Sequence, residues 1–218
     1  MEQFKISNNL FLFRSGGGNI PITFNQYLLL GAEPVLIHTG NTKQAKELIP
    51  MLKGILGNRT LSYIFISHFE GDECGGISQL MESFPKAIPI CSQITARELA
   101  GFGFEYSVMK KNPGETLETN DYRLHFIAYP SEVHLWEGLL LMEAKQRMLF
   151  SSDLFIHFDK INEITVNSNL EDELERITKQ QIPDVDLITR LKTTLLQHNI
   201  KDIAPGHGPF IKLWPTNQ

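Results

Sequence analysis

The sequence predicts a layered fold of the α/β (α+β) class. Short apolar runs bounded by glycine and proline, which are typical of strands, alternate with segments that have helical spacing. The predicted strands are more numerous than a single sheet requires. A chain of 218 residues, 42% of them apolar, is long enough to bury one substantial core. We therefore expect residues 1–218 to form a single domain of packed sheets and helices.

The first half is predicted to begin with strands and to continue with alternating helices and strands. Residues 43–56 carry apolar side chains three and four positions apart, which predicts a helix that Pro50 should kink or shorten. Residues 61–67 form a continuous apolar run, as expected of a strand covered on both faces. The predicted strands are residues 4–6, 10–14, 23–30, 34–38, 61–67 and 86–92, and the predicted helices are residues 43–56, 75–84 and 93–101.

The second half repeats this organisation. Two helices are predicted on either side of Pro183, and a last short strand runs into a turn rich in glycine and proline. Because loops at strand ends commonly carry binding and catalytic residues, these ends are where we expect the chemistry. The predicted strands are residues 122–129, 137–144, 147–153 and 201–205, and the predicted helices are residues 170–181 and 184–198.

Composition and charge narrow the function classes. The net charge of −5 and the absence of a basic stripe argue against a nucleic-acid partner. The most apolar window, residues 27–37, is too short to span a bilayer, and the N-terminus lacks the pattern of a signal peptide. Two cysteines make no disulfide framework. These observations predict a cytoplasmic protein with no membrane segment.

Side chains able to bind a metal follow four predicted strands. They lie in the loop 66–76 ("ISHFEGDECGG"), after the strand ending near residue 129, after residues 147–152, and in the final turn. Strand ends on one edge of a sheet lie close in space, so these distant residues can meet. A solvated acidic loop with scattered histidines is the alternative. The candidate ligands are His68, Glu70, Asp72, His134, Asp153 and His207, with Glu73 as a possible further carboxylate.

The spacing of these residues resembles that of the flavodiiron proteins and the related oxygen-binding diiron proteins, within the metallo-β-lactamase superfold. The series His-x-Glu-x-Asp begins at His68, and 61 residues separate Asp72 from His134. A further 18 residues lead to Asp153 and 53 more lead to His207. The segments "VLIHTG", "YIFISHFEGDECGG", "LFSSD" and "APGHGP" follow the family order across nearly the whole chain.

The resemblance implies a four-layer αββα sandwich with two iron ions at one edge of its sheets. One iron would be held by His68, Glu70 and His134, and the other by Asp72 and His207. Asp153 would then bridge both ions.

Two residues of the series distinguish this chain from the zinc hydrolases of the superfold, which have His-x-His-x-Asp-His. Here Glu70 and Glu73 stand where those enzymes have histidine. Carboxylates favour harder cations and higher oxidation states, so the exchange favours iron over zinc.

Two departures from the flavodiiron pattern leave questions open. Many of those proteins have a histidine ligand where this chain has Glu73, which is either a ligand or a neighbour of the ligands. They also continue into a flavodoxin-like domain that binds FMN, whereas eleven residues follow His207 here. We therefore expect no flavodoxin domain and no FMN in this chain.

The resulting hypothesis is a non-haem diiron protein that binds dioxygen or nitric oxide. It would act as an oxygen sensor, or as a reductase supplied by a separate rubredoxin or flavoprotein, and a dimer is expected. The alternatives are a dinuclear-metal hydrolase acting on a thioester or phosphoester, and a signalling module that uses the metal site as a switch. Cys74, His38, His157, Tyr129 and Trp136 are possible neighbours of the site, and for each of them a structural role is the alternative.

Overall fold

The computed structural model describes residues 1–17, 20–130 and 138–214, which form two seven-stranded sheets. In the first sheet the strands follow one another in chain order, antiparallel from β1 to β4 and parallel from β4 to β7. These strands are β1 (Glu2–Lys5), β2 (Leu10–Gly17), β3 (Ile20–Leu29), β4 (Val35–Ile37), β5 (Tyr63–Phe65), β6 (Ile88–Cys91) and β7 (Met109–Lys110).

The second sheet has the order β12-β14-β13-β11-β10-β9-β8. Within it β11 runs parallel to β13, so both strands end at the same edge. Its strands are β8 (Thr116–Glu118), β9 (Arg123–Tyr129), β10 (Gly138–Glu143), β11 (Met148–Ser152), β12 (Thr165–Ser168), β13 (Asp202–Pro205) and β14 (Phe210–Leu213).

Helices cover the outer face of each sheet. They are α1 (Thr42–Leu56), α2 (Gly71–Cys74), α3 (Ile77–Ser83), α4 (Gln93–Gly101), α5 (Leu170–Glu175) and α6 (Val185–Gln197), with a 3₁₀ turn at Phe158–Lys160. Three apolar clusters separate the layers. One packs α1, α3 and α4 on the first sheet, one lies between the sheets, and one packs α5 and α6 on the second sheet. The predicted four-layer αββα arrangement is therefore confirmed.

Helix α1 continues through Pro50, so this proline does not shorten the helix as predicted. The helix begins with a capping box, in which Asn41 accepts from the backbone N–H of Gln44 and the Gln44 side chain accepts in return. Its inner face buries Leu48 and Leu52 completely. This burial and the cap offset the backbone hydrogen bond that a proline cannot make.

Other boundaries differ from the sequence prediction. Helix α5 ends at Glu175 and does not reach residue 181, because residues 176–182 form turns held by backbone bonds from Gln181 and Ile182 to the carbonyl of Thr178. The short strands β7, β8, β12 and β14 were not predicted. They are two to four residues long, which is too short to show a periodic pattern, and pairing with neighbouring strands defines them instead.

Among the residues that the structure describes, no helix combines the length and the apolar character needed to cross a bilayer.

Candidate metal centre

The predicted ligands meet where strands of both sheets end. The loop after β5 carries His68, Glu70 and Asp72, Asp153 follows β11, and His207 follows β13. The parallel pairing of β11 with β13 brings the last two together. The sixth predicted ligand, His134, lies outside the described residues, as does Trp136.

Asp153 lies between the two imidazoles. Its Oδ2 is 3.4 Å from His68 Nε2, and its Oδ1 is 3.3 Å from His207 Nε2. Glu70 Oε2 lies 3.1 Å from the same nitrogen of His68, and Asp72 Oδ2 lies 3.4 Å from that of His207. Each imidazole thus faces one carboxylate of its own and one oxygen of a carboxylate that both share.

The hydrogen bonds on the far side of each ring determine which nitrogen faces the site. His207 Nδ1 lies 2.8 Å from the backbone oxygen of Thr23, and a carbonyl oxygen can only accept. Nδ1 of His207 therefore carries a hydrogen, and Nε2 is the nitrogen available to a metal. His68 Nδ1 lies 3.0 Å from Ser67 Oγ and 3.3 Å from Ser152 Oγ, and these two hydroxyls lie 2.8 Å apart.

The carboxylates make the site strongly attractive to cations. Burial alone lowers the pKa of His68, but the hydrogen bond with Glu70 and the charge of Asp153 outweigh it and leave that pKa raised. Burial likewise lowers the pKa of His207, and Asp153 and Asp72 raise it above its usual value. Burial alone raises the pKa of Asp153, but His207 and His68 hold it at about 2. A bound cation would replace the protons that these imidazoles otherwise attract.

Burial and hydrogen bonding also fit a metal. Asp153 Oδ1 and Oδ2 and Glu73 Oε2 are buried without a hydrogen-bond donor among the described residues. Such oxygens are costly to bury unless a cation compensates them. By contrast, the side chain of Glu70 is 39% exposed, so Glu70 lies on the open side of the site. The donor set of oxygens and imidazole nitrogens therefore suits two ions of intermediate hardness such as iron.

Strands of the first sheet hold the turn that carries His207. Arg14 donates from Nη2 to the backbone oxygen of Gly208 (2.6 Å), and Asn25 Nδ2 donates to the same oxygen (2.8 Å). Tyr27 Oη donates to the oxygen of Pro205 (2.9 Å). This support was not predicted, because Arg14 and Asn25 lie more than 180 residues away from Gly208 along the chain. Nothing local to the turn indicates them.

The serines next to the ligands were also missed, although the sequence contained a signal. Ser67 directly precedes His68, and Ser152 directly precedes Asp153. Ser152 has a φ of 51°, a conformation that costs energy for a residue with a side chain. That conformation accompanies the contact between the Ser152 hydroxyl and Nδ1 of His68.

Aromatic rings cover the two imidazoles. Tyr129 makes an edge contact with His68 at 6.0 Å between ring centroids, and Phe24 makes one with His207 at 5.2 Å. A cavity of about 640 Å³ adjoins Tyr129 and Gly138, and one of about 650 Å³ adjoins Phe24. These rings limit the access of water to the ligand nitrogens.

The other candidate neighbours have distinct environments. His38 is buried and has a φ of 62°, and burial together with the charge of His68 lowers its pKa to about 3. Cys74 donates from Sγ to the backbone oxygen of Glu70 at 3.1 Å. Nε2 of His157 lies 2.9 Å and 3.0 Å from the carboxylate oxygens of Glu173, a fully buried pair on the helical side of the second sheet. His157 thus has a structural partner of its own.

Comparison with known proteins places this geometry in a family. A family model described as "ODP family beta lactamase" matches residues 22–208. The chain belongs to this family. A nitric oxide reductase of Moorella thermoacetica is 26% identical over 199 residues, which cover 85% of this chain and 49% of that protein. The chain spans between about a third and a half of the length of the first curated relatives it matches.

Solved structures show the same fold. A mutant of the flavo di-iron protein from Thermotoga maritima matches with a TM-score of 0.80 and 23% identity, covering 97% of this chain and 58% of that one. A metallo-β-lactamase from Pontibacter korlensis matches with a TM-score of 0.69 and 18% identity, covering 97% and 93%. The metallo-β-lactamase fold and the resemblance to flavodiiron proteins are therefore confirmed.

Proposed function

We propose that this ODP-family protein is a non-haem diiron protein that binds dioxygen or nitric oxide. The observation that carries the proposal is the position of Asp153, whose two buried oxygens each face a different imidazole at 3.3–3.4 Å. Two nitrogen donors on opposite sides of one carboxylate are what a dinuclear centre requires. The similarity to a protein named as a nitric oxide reductase supports the choice of ligand.

In this proposal His68 and Glu70, with His134, would hold one iron, Asp72 and His207 would hold the other, and Asp153 would be shared by both. When bound, two ferrous ions would supply the redox chemistry that dioxygen or nitric oxide requires. Ser67, Ser152 and the carbonyl of Thr23 keep the Nε2 atoms aimed at the site. Tyr129 and Phe24 pack edge-on against the two imidazoles and help to hold them in place.

Sustained reduction needs electrons from outside this metallo-β-lactamase unit. We propose a rubredoxin or a flavoprotein as the donor, and oxygen sensing as the role when ligand binding occurs without a donor. The dimer and the cytoplasmic location stay predictions. The hydrolase alternative is not favoured, because the exposed Glu70 gives the site another carboxylate in place of an imidazole.

The proposal is tested by loading the metal-free protein with ferrous iron under anaerobic conditions. We expect two irons per chain, and a change in the visible spectrum when oxygen or nitric oxide is admitted. Asp153→Ala should bind at most one iron per chain, because a bridging carboxylate neutralises both ions at once. Asp159→Ala, which removes a nearby exposed carboxylate, should still bind two. A protein loaded with ferrous iron that holds fewer than two irons per chain, or that shows no spectral response to either gas, would refute the proposal.

A further inference from the structure

Glu73 is the one carboxylate of the loop 66–76 whose role the ligand series above leaves open. It lies on α2 and is 1% exposed, whereas Glu70 on the same loop lies at the open side of the site. A carboxylate in such a position is costly to bury unless it is paired, protonated or bound to a cation. Its Oε2 has no hydrogen-bond donor among the described residues.

The surroundings of Glu73 are mainly acidic. Asp153, Asp72 and Glu70 act on it electrostatically, and Asp72 also shares a side-chain hydrogen bond with it. The imidazole of His68 lies near it, with Nε2 3.9 Å from Oε2. A bound cation would supply the positive charge that the three acidic neighbours do not.

Two groups of potential ligand atoms contain Glu73. In the described part of the chain, one group joins it to His68 and Glu70, and the other joins it to Asp72 and His207, with all ligand atoms of a group within 4.8 Å of one another. The first group contains ligands assigned above to one iron, and the second contains both protein ligands assigned to the other. Glu73 is the residue common to both.

The backbone of Glu73 is fixed independently of its side chain. Its carbonyl oxygen accepts from the Thr39 N–H at 2.8 Å and from Thr39 Oγ1 at 3.2 Å. Gly76, three residues on, packs so closely on α1 that a Cβ there would lie 2.4 Å from the Ala45 side chain. The loop thus holds the carboxylate in place while its Oε2 remains without a donor.

We propose that Glu73 is a second bridging carboxylate, shared by both metal ions together with Asp153. This inference rests on the proposed dinuclear site and extends it. With Glu73 included, four carboxylates face two divalent ions, so four negative charges balance four positive ones. A histidine at this position could bind one ion only and would add no charge.

The test uses Co²⁺ as the probe metal, because its visible absorption reports coordination without iron or oxygen. Wild type should bind two Co²⁺ ions in a titration against a competing chelator. Glu73→Gln should weaken both binding steps about tenfold or more, since even indirect partners of metal ligands commonly contribute 10–100-fold. Glu73→His should restore one step and leave the other weakened. Glu82→Gln, at an exposed glutamate of α3, is the matched control and should bind as wild type does.

Folding is checked on the metal-free proteins by urea denaturation. Glu73→Gln should unfold at the same or a higher urea concentration than wild type, because it removes a buried charge from an acidic setting. Unchanged affinity in Glu73→Gln, or weakening of only one step, would overturn the shared role of Glu73. A wild-type protein that binds fewer than two Co²⁺ ions would overturn the dinuclear site itself and this inference with it.

Discussion

Replacing Arg14 with methionine should destabilise the metal-free protein by about 2–4 kcal/mol. The Arg14 guanidinium is buried and donates to three oxygens: Asn25 Oδ1 at 3.1 Å, the Glu163 carbonyl at 2.7 Å and the Gly208 carbonyl at 2.6 Å. In the variant the Gly208 oxygen keeps its bond from Asn25 Nδ2, but the other two acceptors lose their donor. An orphaned buried acceptor such as Asn25 Oδ1 costs roughly 1–3 kcal/mol, and the part-buried Glu163 carbonyl costs less because water can reach it. Part of this loss of stability is offset, because the variant no longer has to bury a charged guanidinium.

The assay is urea unfolding of the metal-free protein, with the free energy of unfolding extrapolated to water. The control is Arg97→Met on α4, which removes an exposed arginine and should change stability by no more than about 0.5 kcal/mol. Because Gly208 follows His207 directly, Arg14→Met should also weaken binding of Co²⁺. An Arg14→Met protein within about 0.5 kcal/mol of wild type would refute the view that this side chain holds the turn.

Three further substitutions or treatments test other parts of the structure. Gly76→Ala should lower the free energy of unfolding in urea by about 1–3 kcal/mol, because its Cβ would lie 2.4 Å from the Ala45 side chain of α1. The control is Gly54→Ala within α1, where a Cβ meets open space, and this variant should be neutral or more stable by up to about 1 kcal/mol. Ser67→Ala and Ser152→Ala should each weaken Co²⁺ binding modestly, since either hydroxyl can hydrogen-bond to Nδ1 of His68. The double variant should lose about 10–100-fold in Co²⁺ affinity. Equal losses of affinity in the single and double variants would contradict this shared role. Burial raises the pKa of the Cys91 thiol to about 12. At pH 8 this thiol should therefore stay protonated and react with a thiol reagent only after denaturation. Rapid labelling of Cys91 in the native protein would contradict its burial.

Local patterns in the sequence predicted a layered α/β fold and candidate ligands at strand ends, and the family resemblance implied the four-layer arrangement. Apolar runs placed β5, β11 and β13, and polar residues at their ends placed His68, Asp153 and His207 at one edge. The family resemblance then predicted which of these lie together, and the structure places Asp153 between the two imidazoles.

What was not predicted depends on contacts distant in sequence. Nothing in the sequence around Arg14 indicates that it donates to the turn after β13. The position of Glu73 in both groups of potential ligands is visible only when the folded chain brings these groups together. Helix α5 was predicted too long, because Ile177 continues the helical spacing of Leu170 and Leu174 after the helix has already ended at Glu175. In each case tertiary contacts decide between conformations that local sequence permits.

The proposed metal ligands come from both sheets: His68 and Asp72 lie in the segment after β5, and Asp153 and His207 follow strands of the second sheet. Bound cations would therefore fasten the two halves of the sandwich along this edge. Without them, the clustered carboxylates repel one another at the same place, while the apolar cluster between the sheets is unaffected. Amide hydrogens of residues 66–76 and 204–208 would then exchange with solvent sooner than those of the buried strands, so metal content sets how firmly the two sheets are closed.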